Sequence, residues 1–361
     1  MKRLTFILSA LLILGISSCS KPEQGNQSEE LIDLTLKISQ DNSYAIEPSA
    51  QGSTVTVKNA FVVFTDNIDN ITNRFKIITS GTPVDGEILV SDWNAGINFP
   101  KVKSTANRVY VLGNVPSGIT IPSAGKLNPV ISSFETNLIT SSNQSNIQNA
   151  YLAGSQFFTP NPTVNFVTIN IKPLVSRIEI KGIKAAGNIT GFKVKGIYID
   201  RTLKFVNLAG SSNNTYFTAN STDFQPTVPV VYNEFPFLMD YDAAGLATSV
   251  SNVAKPTASN VWAYNILPNY GQSPRIIIRL EEVTYVGGSF NSPMFLTING
   301  LKTESGMPIS VNFGKIYNLD ETNLIFTEEN LSSLPNLLPI SVSPTILPLP
   351  WTTENVKPDY N

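Results

Sequence analysis

The feature that most constrains the fold of this chain is a series of short segments rich in β-branched and aromatic residues, separated by turn residues. In the first of them Ile32, Leu34, Leu36 and Ile38 alternate with polar residues, which is the period of a strand with one buried face. Strand candidates follow at 54–65, 74–79, 87–90, 108–113, 164–171, 174–183, 192–199, 228–232, 261–267, 275–286, 294–298 and 309–319. Without helices between them, these segments predict an all-β protein built from antiparallel sandwiches.

One segment of the N-terminal half favours a helix. Apolar residues recur at spacings of three and four within 126–140, at Leu127, Val130, Ile131, Phe134 and Leu138, which is the period of an amphipathic helix.

The length and one turn-rich segment indicate two domains in tandem. A chain of 361 residues can bury two separate cores. Proline and asparagine concentrate at 158–163, so a boundary is expected near 161–173. The predicted domains are 31–165 and 166–361, the second including a C-terminal segment of about 338–361.

The first residues have the pattern of an export signal. Lys2 and Arg3 precede an apolar run at 4–16, which ends in Ser17, Ser18 and Cys19. A basic start, a short apolar core and small residues are typical of a signal peptide, and this ending resembles a lipobox. We therefore predict a signal peptide at 1–18, cleavage between Ser18 and Cys19, and lipid attachment at Cys19. A plain secretory signal with an incidental cysteine is the alternative.

The residues after the cysteine are polar, and they predict a flexible tether at 19–30. Several acyl chains on one residue hold a protein at a membrane, since each buried CH₂ contributes about 0.8 kcal/mol. We therefore expect a folded body hanging from a membrane by lipid.

The composition excludes several functions. Histidine is absent and Cys19 is the only cysteine, which rules out histidine-based acid–base chemistry and intramolecular disulfides. Charged residues make up 14% and the net charge is −2, so nucleic acid is not an expected partner. We predict no catalytic residues, no metal and no cofactor.

Two groups of polar residues have a simple structural interpretation. Asp66, Asn67, Asp69 and Asn70 offer oxygen ligands, but they lack the spacing and the distal carboxylate of a calcium loop, so a solvated turn is expected. Arg177 and Glu179 are two residues apart on a predicted strand, which predicts a surface ion pair.

Four segments together resemble the fimbrillins, the major and accessory subunits of the Bacteroidales-type (type V) pilus. The first is the lipobox followed by LTLKIS and KNAFVVFTD, and the second is RVYVLGNVPSG with the predicted helix. The third is INIKPLVSRIEIKGI, and the fourth is GKIYNLDETNLIF followed by ISVSPTILPLPWTTENV. They follow the family's order over nearly the whole chain.

The resemblance implies two transthyretin-like β-sandwich domains and assembly by strand exchange. A protease would remove the first strand, which carries Ile32, Leu34, Leu36 and Ile38, and a C-terminal segment of another subunit would fill the groove by strand addition. The implied donor side chains are Ile340, Val342, Leu347, Leu349 and Trp351. Alternatively, Trp351 packs on its own domain and this segment is an edge strand.

The chain departs from the family pattern in two ways. No arginine lies between Cys19 and Arg74, whereas the resemblance implies cleavage after an arginine beyond the first strand. Pro344, Pro348 and Pro350 are all separated by even numbers of residues. Their missing N–H groups therefore fall on the same edge of an extended donor strand. Either a different protease acts at 40–53 or the first strand stays in place, as in a lipid-retaining anchor.

The sequence therefore predicts a non-enzymatic fimbrial subunit or an anchor on the outer membrane. Its expected partners are other fimbrial subunits, the outer membrane through its lipid, and host or bacterial surface receptors. One alternative is a surface lipoprotein that binds glycans on aromatic platforms around Trp93, Trp262 or the tyrosines. Another is a hydrolase that uses two convergent carboxylates.

Overall fold

The computed structural model describes residues 30–40, 57–90, 95–115, 118–133, 135–136, 150–161, 165–210, 215–224, 238–257, 261–268, 273–303, 305–337, 353–355 and 357–358. Within these residues the protein is mostly β-sheet with a single short α-helix, as the sequence predicts. No helix in these ranges is both long enough and apolar enough to span a bilayer.

The described residues of the N-terminal half form nine strands and one α-helix. They are β1 (Leu31–Gln40), β2 (Asn59–Thr65), β3 (Ile71–Ile78), β4 (Glu87–Leu89), β5 (Ile97–Lys103), β6 (Arg108–Gly113), α1 (Leu127–Ser132), β7 (Glu135–Thr136), β8 (Leu152–Phe157) and β9 (Phe166–Pro173).

Eight of these strands form one sheet in the order β4-β3-β2-β6-β8-β9-β1-β5, and the sheet folds back on itself. The ring of Phe99 in β5 lies 5.6 Å from that of Phe64 in β2 and 5.1 Å from that of Phe75 in β3. The side chain of Asn73 in β3 also bonds to the backbone of Lys101 and Lys103. The strands thus enclose the first hydrophobic cluster.

The C-terminal half contains shorter and more numerous strands. They are β10 (Ser176–Ile180), β11 (Ile183–Ala185), β12 (Ile189–Asp200), β13 (Val206–Asn207), β14 (Leu238–Tyr241), β15 (Ala247–Thr248), β16 (Val253–Ala254), β17 (Trp262–Ile266), β18 (Arg275–Tyr285), β19 (Gly288–Ser289), β20 (Met294–Ile298), β21 (Leu301–Lys302), β22 (Ile316–Leu319), β23 (Ile325–Phe326), β24 (Leu331–Ser332), β25 (Thr353–Asn355) and β26 (Lys357–Pro358).

Two larger sheets of this half share a second hydrophobic cluster. One has the order β17-β10-β22-β25, and the other has the order β14-β12-β18-β20-β24 with β15 and β19 paired alongside. Ile178 and Tyr317 from the first sheet join Ile276 and Leu296 from the second in this cluster. A smaller third cluster, with Tyr198 and Phe295, uses the alternate residues of β12 and β20, so both faces of these strands are buried.

Strand β9, which follows the predicted boundary between 165 and 166, packs with the strands of the N-terminal half. Strand β9 pairs in parallel with β1, and its residues Val167, Ile169 and Ile171 belong to the first cluster together with Val175. The second cluster begins at Ile178, while the first cluster also includes residues from farther along the chain, namely Leu203, Val206, Leu208, Leu267 and Ile316. Periodicity located β9 but could not assign its partner strand, because a strand's neighbours are set by contacts distant in sequence.

The helix is shorter than the sequence predicts. Helix α1 ends at Ser132 and buries Leu127 and Ile131, and Glu135–Thr136 forms the strand β7 paired with β13. Residues 134 and 137–140 lie outside the described ranges. Pairing with a distant strand therefore overrides the helical period in this segment.

Two other expectations fail because strands of the C-terminal half are covered on both faces. Arg177 and Glu179 are 5% and 1% exposed, so their ion pair, with Nε 2.7 Å from Oε1, is buried rather than on the surface. Burial lowers the pKa of Arg177, and the neighbouring Glu179 opposes this shift. Trp262 is 7% exposed within the second cluster, so it forms no aromatic platform, while Trp93 lies outside the described residues.

Candidate functional site

The candidate interaction site is the position of β1 within its sheet. This strand pairs antiparallel with β5 on one side and parallel with β9 on the other. It is therefore an interior strand with both backbone edges engaged, and the sequence pattern alone could not show this.

The buried face of β1 joins it to both neighbours. Ile32, Leu34, Leu36 and Ile38 are at most 4% exposed. Leu36 lies opposite Ile97 of β5 and Val167 of β9, and Leu34 lies opposite Phe99. The four aliphatic side chains thus fill a slot whose walls come from two strands distant in sequence.

Polar contacts fix the register of β1. The backbone N–H of Ser104 donates to the carbonyl of Glu30 at 2.9 Å, and that of Thr35 donates to the carbonyl of Asn165 at 2.9 Å. The carboxylate of Asp33 accepts a hydrogen bond from the N–H of Lys101 at 3.2 Å. Loss of β1 would leave two open strand edges and an apolar groove between them.

The C-terminal segment is described only at its end. Strand β25 pairs in parallel with β22 at the edge of the four-stranded sheet, and β26 pairs with β21. The predicted donor side chains Ile340, Val342, Leu347, Leu349 and Trp351 lie outside the described residues. So do Ser18 and Cys19, the predicted cleavage and lipidation site.

The acidic segment at 66–70 forms a turn between β2 and β3. Oδ1 of Asp66 accepts hydrogen bonds from the N–H groups of Ile68 and Asn70 at 3.0 and 2.9 Å. Burial has the largest single effect on the pKa of Asp66 and raises it, but the hydrogen bonds from Asn70 and Ile68 together outweigh burial, so the pKa is lowered. In the described part of the chain, no group of three or more acidic residues could hold a metal ion.

The hydrolase alternative requires two convergent acids, one of them with a raised pKa. Asp85 and Glu87 line one cavity of about 540 Å³. Glu87 accepts hydrogen bonds from Nζ of Lys76 at 2.6 Å and from the N–H of Val84 at 3.2 Å, and these partners lower its pKa. That shift is opposite to the one that a general acid needs.

Sequence reasoning missed another cavity, which brings Arg108 and Tyr110 of β6 next to Lys172 of β9 and Phe313. The alternation in RVYVLG places Arg108 and Tyr110 on one face of a strand, and this was the only signal available. Nothing in the sequence connects them to Lys172, because β8 lies between β6 and β9 in the sheet.

Comparisons with known proteins give matches among solved structures. No protein-family model and no curated protein matches the chain. A "putative cell adhesion protein" of Parabacteroides distasonis aligns with a TM-score of 0.50 and 15% identity, covering 90% of this chain and 98% of the other. A protein of the same description from Bacteroides eggerthii has a TM-score of 0.49 and 15% identity, with coverage of 90% and 98%. A fimbrilin of Porphyromonas gingivalis has a TM-score of 0.47 and 13% identity, with coverage of 92% and 98%.

The chain shares its fold with the Parabacteroides protein. At 15% identity this likeness establishes the fold alone. The description of that structure, a "putative cell adhesion protein", is consistent with the resemblance of the sequence to fimbrial subunits.

Proposed function

We propose that this protein is a surface fimbrial subunit, or an anchor or accessory subunit, that joins other subunits by strand exchange and contributes to cell adhesion. The observation that carries the proposal is the interior position of β1, with four aliphatic side chains buried between β5 and β9. A strand that fills such a slot can be replaced by a strand of another chain, because its interaction consists mainly of backbone pairing and alternate side-chain burial. The fold shared with a cell adhesion protein supports this function.

Two transthyretin-like β-sandwich domains are part of the proposal. The two large hydrophobic clusters support it, because each joins strands of more than one layer. We propose that the boundary lies after β9, because the second cluster begins at Ile178, and that Leu203, Val206, Leu208, Leu267 and Ile316 of the second domain pack against the first.

The proposed attachment is through lipid on Cys19, after removal of residues 1–18, with a tether at 19–30 and an outer-membrane location. The lone cysteine after an apolar run supports it. Other fimbrial subunits would be the partners, through the C-terminal segment at 338–361 as donor, and surface receptors would be the adhesion targets.

We propose an anchor or accessory role rather than a shaft role. No arginine precedes Arg74 in the mature chain, so the usual cleavage signal of the family is missing. Burial of an aliphatic side chain contributes about 1.5–3 kcal/mol, so the four of β1 would hold the strand in place without a cut. Such a subunit would donate a strand but would not accept one.

The experiment is the intact mass and N-terminal sequence of the protein isolated from cell envelopes. An anchor begins at acylated Cys19, carries palmitate label and partitions with detergent, whereas the Cys19→Ser variant loses both label and partitioning. A chain that begins within 40–53 would be a polymerising subunit opened by another protease. Label and detergent partitioning that persist in Cys19→Ser would contradict the lipid anchor.

A further inference from the structure

A cavity of about 570 Å³ lies on the outer face of the first sheet, between α1 and a loop of the C-terminal half. Its size is within the range of about 300–1,000 Å³ that is typical of small-molecule sites. The lining residues that matter here are Arg108, Tyr110, Ser155, Lys172, Asn128 and Phe313.

Strand register brings the polar residues together. Val109 and Val111 of β6 are buried in the first cluster, so Arg108 and Tyr110 point to the opposite face. Tyr110 lies opposite Ser155 of β8. Two residues earlier on β8, Ala153 lies opposite Lys172 of β9, which places a second cation on the same face.

The guanidinium of Arg108 is held in a fixed position. Its central carbon lies 4.4 Å from the ring centroid of Tyr110 and 4.6 Å from that of Phe157, and Nη2 donates to Oγ of Ser155 at 2.9 Å. Its Nε is buried without a hydrogen-bond partner among the described residues. Two aromatic rings and one hydroxyl therefore orient a group that still has donors to offer.

The cavity also contains the negative charge of Asp69, which already has hydrogen-bond partners within the protein. Oδ2 of Asp69 accepts a hydrogen bond from the backbone N–H of Asn128 at 2.7 Å, and its Oδ1 lies 3.5 Å from the hydroxyl of Tyr110. Burial raises the pKa of Tyr110, Arg108 opposes this shift and Asp69 adds to it, so this hydroxyl stays protonated and donates. Within the described part of the chain, neither Arg108 nor Lys172 forms an ion pair with a carboxylate.

We propose that this cavity binds an acidic sugar, a pyranose ring that carries a carboxylate. The carboxylate pairs with Arg108 and Lys172, because a planar guanidinium in a fixed orientation matches carboxylate geometry. Sugar hydroxyls bond to Ser155 and to the side chain of Asn128, and the C–H face of the ring packs on Phe313. This inference goes beyond the proposed function and does not depend on polymer formation.

The test is isothermal titration of the protein, isolated from envelopes in detergent, with D-glucuronate and N-acetylneuraminate. D-glucose is the neutral counterpart, and an acidic peptide without sugar represents the other class of anion. We expect heat of binding for at least one acidic sugar, weaker binding at higher salt, and none for D-glucose or the peptide.

Three variants locate the binding. Arg108→Gln should weaken it at least about tenfold, as expected for the loss of a hydrogen bond to a charged group, and Lys172→Gln should weaken it severalfold. Arg74→Gln is the matched control. Arg74 is a second arginine of this sheet, 5.8 Å from the ring centroid of Phe61 and bonded to the carbonyl of Ile121, but it lines the cavity that holds Glu87.

Thermal unfolding of each variant shows whether it is folded. Lys172 is exposed, so Lys172→Gln carries the test if Arg108→Gln does not fold. The proposal is overturned if no acidic sugar binds, if D-glucose or the peptide binds as well as the acids, or if Arg74→Gln weakens binding as much as Lys172→Gln.

Discussion

At the residue scale, the interior of the C-terminal half contains charges whose partners are fixed. Nε of Arg275 lies 2.8 Å from Oδ1 of Asp200 across the β12–β18 pair, and Nη1 donates to the carbonyl of Leu337 at 3.2 Å. The side chains are 3% and 0% exposed, and burial raises the pKa of Asp200 against the effect of Arg275. Removing one partner would leave the other charge buried and uncompensated.

We expect Arg275→Met to lower the free energy of unfolding by about 3–5 kcal/mol, as measured by urea denaturation. The matched control is Lys193→Met, which removes an ion pair with Glu282 that is 67% exposed on the glutamate side and should change stability by about 1 kcal/mol or less. The double variant Arg275→Met with Asp200→Leu should recover much of the loss. Equal effects of the two single variants would show that burial of the Asp200 pair has no energetic consequence.

A second residue-scale prediction concerns pH. Asp240 accepts a hydrogen bond from the hydroxyl of Tyr264 at 2.8 Å, and burial raises its pKa above the ordinary value, with this bond opposing the shift. The folded state therefore binds the proton more tightly than the unfolded state, and the stability gained from protonation is lost as the pH rises through the folded pKa.

Asp240→Asn should therefore stabilise the protein at pH 7, because it removes a partly buried negative charge and keeps an acceptor for Tyr264. The gain should shrink as the pH falls below the folded pKa of Asp240, where the wild-type carboxyl is already neutral. Thermal unfolding at several pH values measures it, with the exposed Asp85→Asn as control. A gain that does not depend on pH would contradict the electrostatic cause.

At the scale of elements, β1 is the strand on which the proposed function rests. Its hydrophobic period is visible in the sequence, and the structure adds that β5 and β9 flank it. The strand is bound by backbone hydrogen bonds on both edges and by apolar contacts on one face. Both kinds of contact must be broken before the groove can accept another strand.

We expect Leu36→Ala to lower the free energy of unfolding by about 2–5 kcal/mol, because Leu36 is 0% exposed and truncation leaves a cavity. Lys37→Ala, the next residue of β1, points to the other face and should change stability by less than about 0.5 kcal/mol. Urea denaturation of the two variants gives the comparison. A Leu36→Ala loss no larger than that of Lys37→Ala would mean that β1 contributes little to its core.

At the scale of the whole molecule, the described end of the C-terminal segment pairs with strands of the C-terminal half. The described members of the two large clusters end at Leu331. Strands β25 and β26 lie beyond them, at the edges of sheets formed by β22 and β21. The described end of the chain therefore adds one strand beside β22 and one beside β21.

Deletion of 340–361 should leave the two large clusters folded, because its described strands lie at the ends of their sheets, and it should abolish association with other subunits. Thermal unfolding reports the fold, and the ladder of oligomers on unheated gels reports association. Deletion of 359–361 alone is the control and should leave the ladder unchanged. Joint loss of the fold and the ladder would show that the segment belongs to the core of its own chain.

The sequence by itself determined the all-β class, most strand positions and the buried face of β1, because these depend on local periodicity and turn residues. The predicted strand at 108–113 also implies that Arg108 and Tyr110 share a face, although no site was predicted there. These are properties of neighbours along the chain.

Only the tertiary structure decided which faces are covered and which strands are partners. The alternating pattern of a strand predicts that one of its faces is exposed. Arg177, Glu179 and Trp262 are nevertheless buried, because other parts of the protein cover both faces of their strands. Residues 135–136 pair as a strand with β13 instead of extending α1. Lys172 lines the same cavity as Arg108 although β8 lies between their two strands in the sheet. Burial and strand pairing arise from contacts between distant segments, and periodicity describes each segment alone.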